Sequence, residues 1–184
     1  TISSLDFSVQ QGGKGANQAS ALAAAEVPVY LLGKVGEDEF ANVARKALLA
    51  KGVDLSLLLA TDAARTGTAL IMVDKFGNNT IVVNRGANEH LSCRDLDAHR
   101  ELIENTGIVL MQLEIPMEVV EYGAEIAYSA EVPVLLDPAP PALLNPSLLQ
   151  RVKYLVPNQH EAEVLSGICN VNKDNASLVA KKLM

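Results

Sequence analysis

The chain is short of several features that common functional classes require. Two cysteines, Cys93 and Cys169, occur in 184 residues; they offer no zinc-ligand spacing and suit a reducing compartment. Positive charge is scarce. Fifteen Lys and Arg face 22 Asp and Glu, a net charge of −7, which argues against nucleic acid or an anionic membrane surface as the main partner. No apolar run is long enough to span a bilayer, and Thr1-Ile2-Ser3-Ser4 is no secretory signal, so the expected location is cytoplasmic. His90, His99 and His160 are scattered and pair with no Ser or Cys in a recognisable triad. What is present, 49% hydrophobic residues over a domain-sized length, is enough to bury a core.

Hydrophobic periodicity places the elements. Leu5, Phe7 and Val9 alternate with polar residues and predict an opening strand. Ala16–Ala25 is helical by propensity, and Val29–Leu32 after Pro28 reads as a short strand. Phe40, Val43, Ala44, Ala47 and Leu48 mark one face of a helix that starts near Asp38 and closes at Lys51-Gly52. Thr68–Val73 and Thr80–Asn84 predict a hairpin of mixed polarity. Ser92 with Asp95 reads as a capping box for a helix through Ile103. Ile108–Leu113, Val134–Leu136 and Tyr154–Val156 are unbroken apolar runs, as parallel strands covered on both faces require. Helices over Met117–Ser129, Glu161–Leu165 and Ala176–Leu183 alternate with them, an order that predicts a three-layer α/β domain.

The octapeptide Gly12-Gly13-Lys14-Gly15-Ala16-Asn17-Gln18-Ala19 is the most informative stretch. Its glycines permit positive φ and close backbone approach, and the helix that follows offers unpaired first-turn amides. Such a stretch is either a turn capping a helix or a loop that binds hydroxyl or phosphate oxygens. A dinucleotide fingerprint fails because Gln18 stands where its third glycine belongs. A P-loop fails because no Gly-Lys-Ser/Thr follows. Glu114, at the end of an apolar strand, is either a solvated acid before Pro116 or an acceptor for a diol. Asn158 and Glu161 have capping-box spacing. Asp137 also ends a strand and reads as crevice lining with no assigned role, and Glu163 reads as a solvated face.

The octapeptide resembles the N-terminal signature of the ribokinase-like (phosphofructokinase B type) carbohydrate kinases. Further motifs follow in that family's order: Gly33-Lys34-Val35-Gly36-Glu37-Asp38, Gly67-Thr68-Ala69, Gly86-Ala87-Asn88, Gln112-Leu113-Glu114, Asp137-Pro138-Ala139-Pro140 and Pro157-Asn158-Gln159-His160-Glu161. The resemblance implies a Rossmann-like αβα core with a small β-sheet lid. Residues 1–184 would form one incomplete domain, with lid strands near 1–11 and 67–85. It further implies that Gly13, Lys14, Gly15, Ala16, Asn17 and Glu114 bind the sugar. Asn158 would lie by the nucleotide, and Glu161 would organise Mg²⁺ through water.

The implied reaction is transfer of the ATP γ-phosphate to the 5-hydroxyl of D-ribose, with K⁺ as monovalent cation and a homodimer through the lid. The family's catalytic Asp lies in a Gly-Ala-Gly-Asp-type loop, and no Gly-x-Gly-Asp occurs between Thr1 and Met184. The family's sugar-binding Asn-x-Asp does not precede the loop either, and Asp6 is no substitute for it. No residue of this chain is therefore assigned as catalytic base, and the chain alone is expected to be inactive. The alternatives are another sugar kinase of the family, acting on deoxyribose or fructose, and a truncated, non-catalytic relative that binds sugar or dimerises.

Overall fold

The computed structural model describes residues 6–183. The chain divides into two compact units, Thr1–His90 and Leu91–Met184.

The first unit opens on irregular backbone. The predicted first strand is not formed over residues 6–11, which carry no regular structure, and Phe7 is 77% exposed; Leu5 and the rest of residues 1–5 lie outside the described residues. Alternation marks where a strand can form, but a strand needs a partner edge, and none of the paired strands takes up this segment. Helix α1 (Lys14–Ala24) follows from Gly13. Strand β1 (Gly33–Gly36) pairs in parallel with β2 (Leu58–Thr61). The strand thus begins four residues later than the apolar run Val29–Leu32 predicts. Tyr30 makes only an isolated bridge to Asp54, because the chain turns at 55–58, where the Leu58 amide donates to Leu55, and removes the partner of Leu32.

Helix α2 (Glu39–Leu49) buries Ala41 and Leu48 and leaves Phe40 and Val43 largely exposed, so its inner face is rotated from the predicted one. The face is set by packing, Ala41 against Val35 and Leu58 and Leu48 against Ala19 and Val53, while Asp38 caps the helix by accepting from Ala41 N–H at 2.9 Å. Ala19, Leu48 and Val53 form one small core, and Val35, Ala41 and Leu58 another. The hairpin β3 (Thr68–Val73) and β4 (Asn79–Asn84) pairs Thr68 with Asn84 and Val73 with Asn79, and every one of its residues is exposed.

The base of that hairpin is a joint. Thr66, buried, donates its hydroxyl to Asp38 Oδ1 at 2.7 Å and its amide to Asp38 Oδ2 at 2.8 Å, while its Oγ1 accepts from the Gly36 amide at 3.0 Å. The Ala87 amide, in the 3₁₀ turn Gly86–His90, donates to Arg65 O at 2.7 Å. Gly36 has no room for a side chain there: a Cβ would lie 2.6 Å from both Ala64 O and Thr66 N.

In the second unit, the sheet β5 (Val109–Met111), β6 (Val134–Leu136), β7 (Tyr154–Leu155) is parallel, in that order. Helix α3 (Cys93–Asp97) begins at the predicted box, in which Asp95 Oδ2 accepts from the amide and hydroxyl of Ser92 at 2.8 Å. The predicted single helix breaks at Ala98–His99, and α4 (Arg100–Glu104) resumes it. Helix α5 (Met117–Ser129) supplies Val120, Ala124 and Ala127 to a core with Val134, Leu136 and Leu148. A one-turn helix, α6 (Pro146–Leu149), brings in Leu148 and precedes β7. Helices α7 (Gln159–Ser166) and α8 (Ala176–Leu183) close on Ala162, Val171 and Val179. Glu163 is not a solvated face: its Oε1 accepts from the Val171 amide at 2.9 Å and ties the loop after α7 to that helix.

Removing the carboxylate in Asp38→Ala deletes a helix cap and two charge-assisted bonds to a buried threonine. We expect a loss of about 3 kcal/mol, read as a lower urea midpoint. The Thr66 hydroxyl, above all, holds the Asp38 carboxyl below its ordinary value of 3.8, against the opposing effect of burial. A depressed native value makes this stabilisation full above the unfolded-state value and lost as pH falls through the native one. Asp38→Asn should therefore show a shallower loss of stability below about pH 4 than the unaltered chain.

Candidate functional site

The predicted site residues fall in two groups, one in each unit. In the first unit, Gly13 precedes α1 with φ 90° and ψ 133°, a region that side chains other than glycine rarely adopt. The turn closes when the Asn17 amide donates to Gly13 O at 2.9 Å. The amides of Lys14, Gly15 and Ala16 thus form the opening turn of α1, which the helix itself supplies with no acceptors. Lys14 contributes the charge of this rim. Asn17, exposed, accepts at Oδ1 from Gln11 Nε2 at 3.2 Å. The first-turn amides of α1 suit hydroxyl or oxyanion oxygens.

In the second unit, Glu114, Asp137 and Asn158 follow β5, β6 and β7 by three, one and three residues. All three lie at the carboxyl ends of adjacent parallel strands, where open α/β sheets place their ligand crevice. Glu114, half-buried, sits in the bend at 113–115, and the Leu113 amide holds this bend by donating to Ala139 O at 2.9 Å. The Asp137 amide donates to Met111 O at 2.9 Å. Asp137, read from the sequence as crevice lining at a strand end, stands by register at the same carboxyl end of the sheet as Glu114.

Asn158 and Glu161 form the capping box that their spacing predicts. The Glu161 amide donates to Asn158 Oδ1 at 2.9 Å. Glu161 Oε2 accepts from the Asn158 amide, and Oε1 from Asn158 Nδ2, both at 2.7 Å. Glu161 is 3% exposed. Each of its oxygens already serves a donor, so direct metal coordination would compete with the cap, whereas an outer role through water leaves it intact. Among the described residues, no group of three or more His, Cys, Asp and Glu side chains is placed to hold a metal ion. Two open depressions, of about 500 and 430 Å³, flank Asp38, and their walls include none of the predicted site residues.

The chain thus carries a donor-rich glycine loop in one unit and acids at the carboxyl ends of parallel strands in the other. The chain belongs to the pfkB family of carbohydrate kinases, which it matches over residues 3–184. It is 36% identical over 184 residues to the ribokinase of Schizosaccharomyces pombe, an alignment covering 97% of this chain and 58% of that protein. Against the deoxyribokinase of Salmonella typhi it is 32% identical over 185 residues, 100% of the chain and 60% of the relative. The structure of Arabidopsis thaliana ribokinase complexed with ribose and ATP superposes with a TM-score of 0.90 at 33% identity, covering 100% of this chain and 60% of that one. The fold is the ribokinase-like α/β fold, and the chain spans about 60% of the length of these relatives.

Glu161→Gln tests the box. A carboxamide faces two Asn158 donors with one acceptor oxygen, so one donor loses its partner. The expected loss is about 2 kcal/mol, read as a lower urea midpoint with unchanged slope.

Proposed function

We propose that the complete protein transfers the γ-phosphate of ATP to the 5-hydroxyl of D-ribose. The observation that carries this reading is the Gly12–Asn17 loop, which takes the backbone form a ligand cradle needs in a chain 36% identical to a ribokinase. In this reading Gly13, Lys14, Gly15, Ala16 and Asn17 supply donors to the sugar. Glu114 accepts from its hydroxyls, since an ionised carboxylate is an acceptor for two O–H groups at once. Asn158 lies by the nucleotide, and Glu161 organises Mg²⁺ through water; the bound cation would offset charge on the phosphates.

The proton of the attacking hydroxyl requires a base, and no residue of this chain is assigned that role. K⁺ is the proposed monovalent cation. The exposed β3–β4 hairpin is the proposed lid and dimer contact, and the cytoplasm is the proposed location. Deoxyribose is the second substrate reading, supported by the 32% identity to a deoxyribokinase.

The test is mass-spectrometric detection of the phosphorylated product from the complete protein with ATP, Mg²⁺, K⁺ and either ribose or deoxyribose. Ribose 5-phosphate as the preferred product supports the first reading, and preference for deoxyribose the second. Glu114→Gln should weaken ribose binding about tenfold or more, the value of a lost charge-assisted hydrogen bond, while the protein keeps its fold. Unchanged ribose affinity would remove Glu114 from the site.

A further inference from the structure

The glycine loop is tied from outside by a chain of side-chain hydrogen bonds. Lys51, two residues past α2, donates from Nζ to Gln11 Oε1 at 3.2 Å. Gln11 Nε2 in turn donates to Gly12 O at 2.9 Å and to Asn17 Oδ1 at 3.2 Å. The order of atoms in this chain follows from chemistry. An ammonium group has donors only, so the Gln11 carboxamide must face it with oxygen. Both N–H groups of Nε2 are then directed at Gly12 and Asn17. Asn17 must meet them with Oδ1, which leaves its Nδ2, with two donors, on the opposite side. Among the described residues, no hydrogen bond uses that Nδ2.

The two ends of a carboxamide are nearly the same in shape, so packing alone does not choose between them. Here the choice descends from the charge on Lys51 through Gln11 to Asn17. We propose that Gln11 and Lys51 are positioning residues that set the polarity of the Asn17 amide, so that the loop presents a donor and not an acceptor to the ligand. A ligand hydroxyl that accepts from Asn17 keeps its own proton to donate elsewhere, and every polar group the loop then offers is a donor. This inference rests on the reading of Gly13–Asn17 as the sugar-binding loop.

The discriminating variant is Gln11→Glu, made in the complete protein and measured by calorimetric titration with ribose. A carboxylate has no donor for Asn17 Oδ1, so the Asn17 amide turns over and presents its oxygen to the sugar. Lys51 keeps a partner, now an ionised one, while Gly12 O loses its donor, so the melting temperature should change little. Ribose affinity should nevertheless fall by roughly tenfold. Lys51→Met, which releases the Gln11 amide without reversing it, should cost about two- to fivefold. In the double variant with Asn17→Ala, Gln11→Glu should add no further loss.

Asn17→Ala serves as the reference and should weaken ribose binding at least as much as Gln11→Glu. If it does, and Gln11→Glu binds ribose with unchanged affinity, the positioning role is overturned and the sugar-loop reading stands. If Asn17→Ala itself leaves the affinity unchanged, both are overturned.

Discussion

The Asp38 carboxylate is the constraint on which the first unit depends. It caps α2 through Ala41, and it holds both the hydroxyl and the amide of Thr66. Through Thr66 it reaches the end of β1 at Gly36. The β3–β4 hairpin leaves the unit immediately after Thr66 and returns at Arg85–Gly86, and it buries none of its own residues. A two-stranded hairpin without a buried face has little stability of its own, so its position is set at its base. The carboxylate joins a helix start, a strand end and the hairpin base. A cap, a charge-assisted bond and a sterically closed backbone approach at Gly36 therefore act as one unit.

This joint also gives a physical meaning to motifs that the sequence presents separately. Gly33-Lys34-Val35-Gly36-Glu37-Asp38, Gly67-Thr68-Ala69 and Gly86-Ala87-Asn88 lie far apart in the chain, yet they meet here. Asn88 accepts from the Lys34 amide at 3.2 Å, and a side chain at Gly67 would collide with Arg85 O at 2.6 Å. Gly36, Gly67 and Gly86 are required by backbone proximity, and Gly86 also by a positive φ, as Gly13 is. The second unit is organised differently. A three-stranded parallel sheet collects Glu114, Asp137 and Asn158 at one edge, and the Asn158–Glu161 box starts α7 beside it. The box satisfies its own donors, so its stabilising role and any role toward a ligand are compatible.

Elements whose signal is local were legible. The α5 span Met117–Ser129 and the hairpin turn near Gly77 followed from periodicity and turn residues, and the Asn158–Glu161 box followed from spacing alone. Where the outcome depended on a partner, the sequence misled. Phe7 and Val9 alternate like a strand but find no edge, and Val29–Leu32 is apolar but loses its partner where residues 55–58 turn. Phe40 and Val43 match a helical face, but the core is built on Ala41 and Leu48 and leaves them exposed. Glu163 looks solvated until the chain folds the Val171 amide back onto it.

The sequence by itself determined the alternation of helices with apolar strands, the glycine loop that begins α1, and the acids that end the strands. Each of these depends on residues within a few positions of one another: a φ that only glycine tolerates, a cap three residues from its partner, a run of side chains with no polar break. Tertiary structure alone decided which ends became neighbours. It brought Thr66 to Asp38, Asp137 to the edge that holds Glu114, and Lys51 through Gln11 to Asn17. The reason is physical: a hydrogen bond between residues dozens of positions apart leaves no periodic mark in either segment, and only the folded chain supplies the closeness that gives it energy.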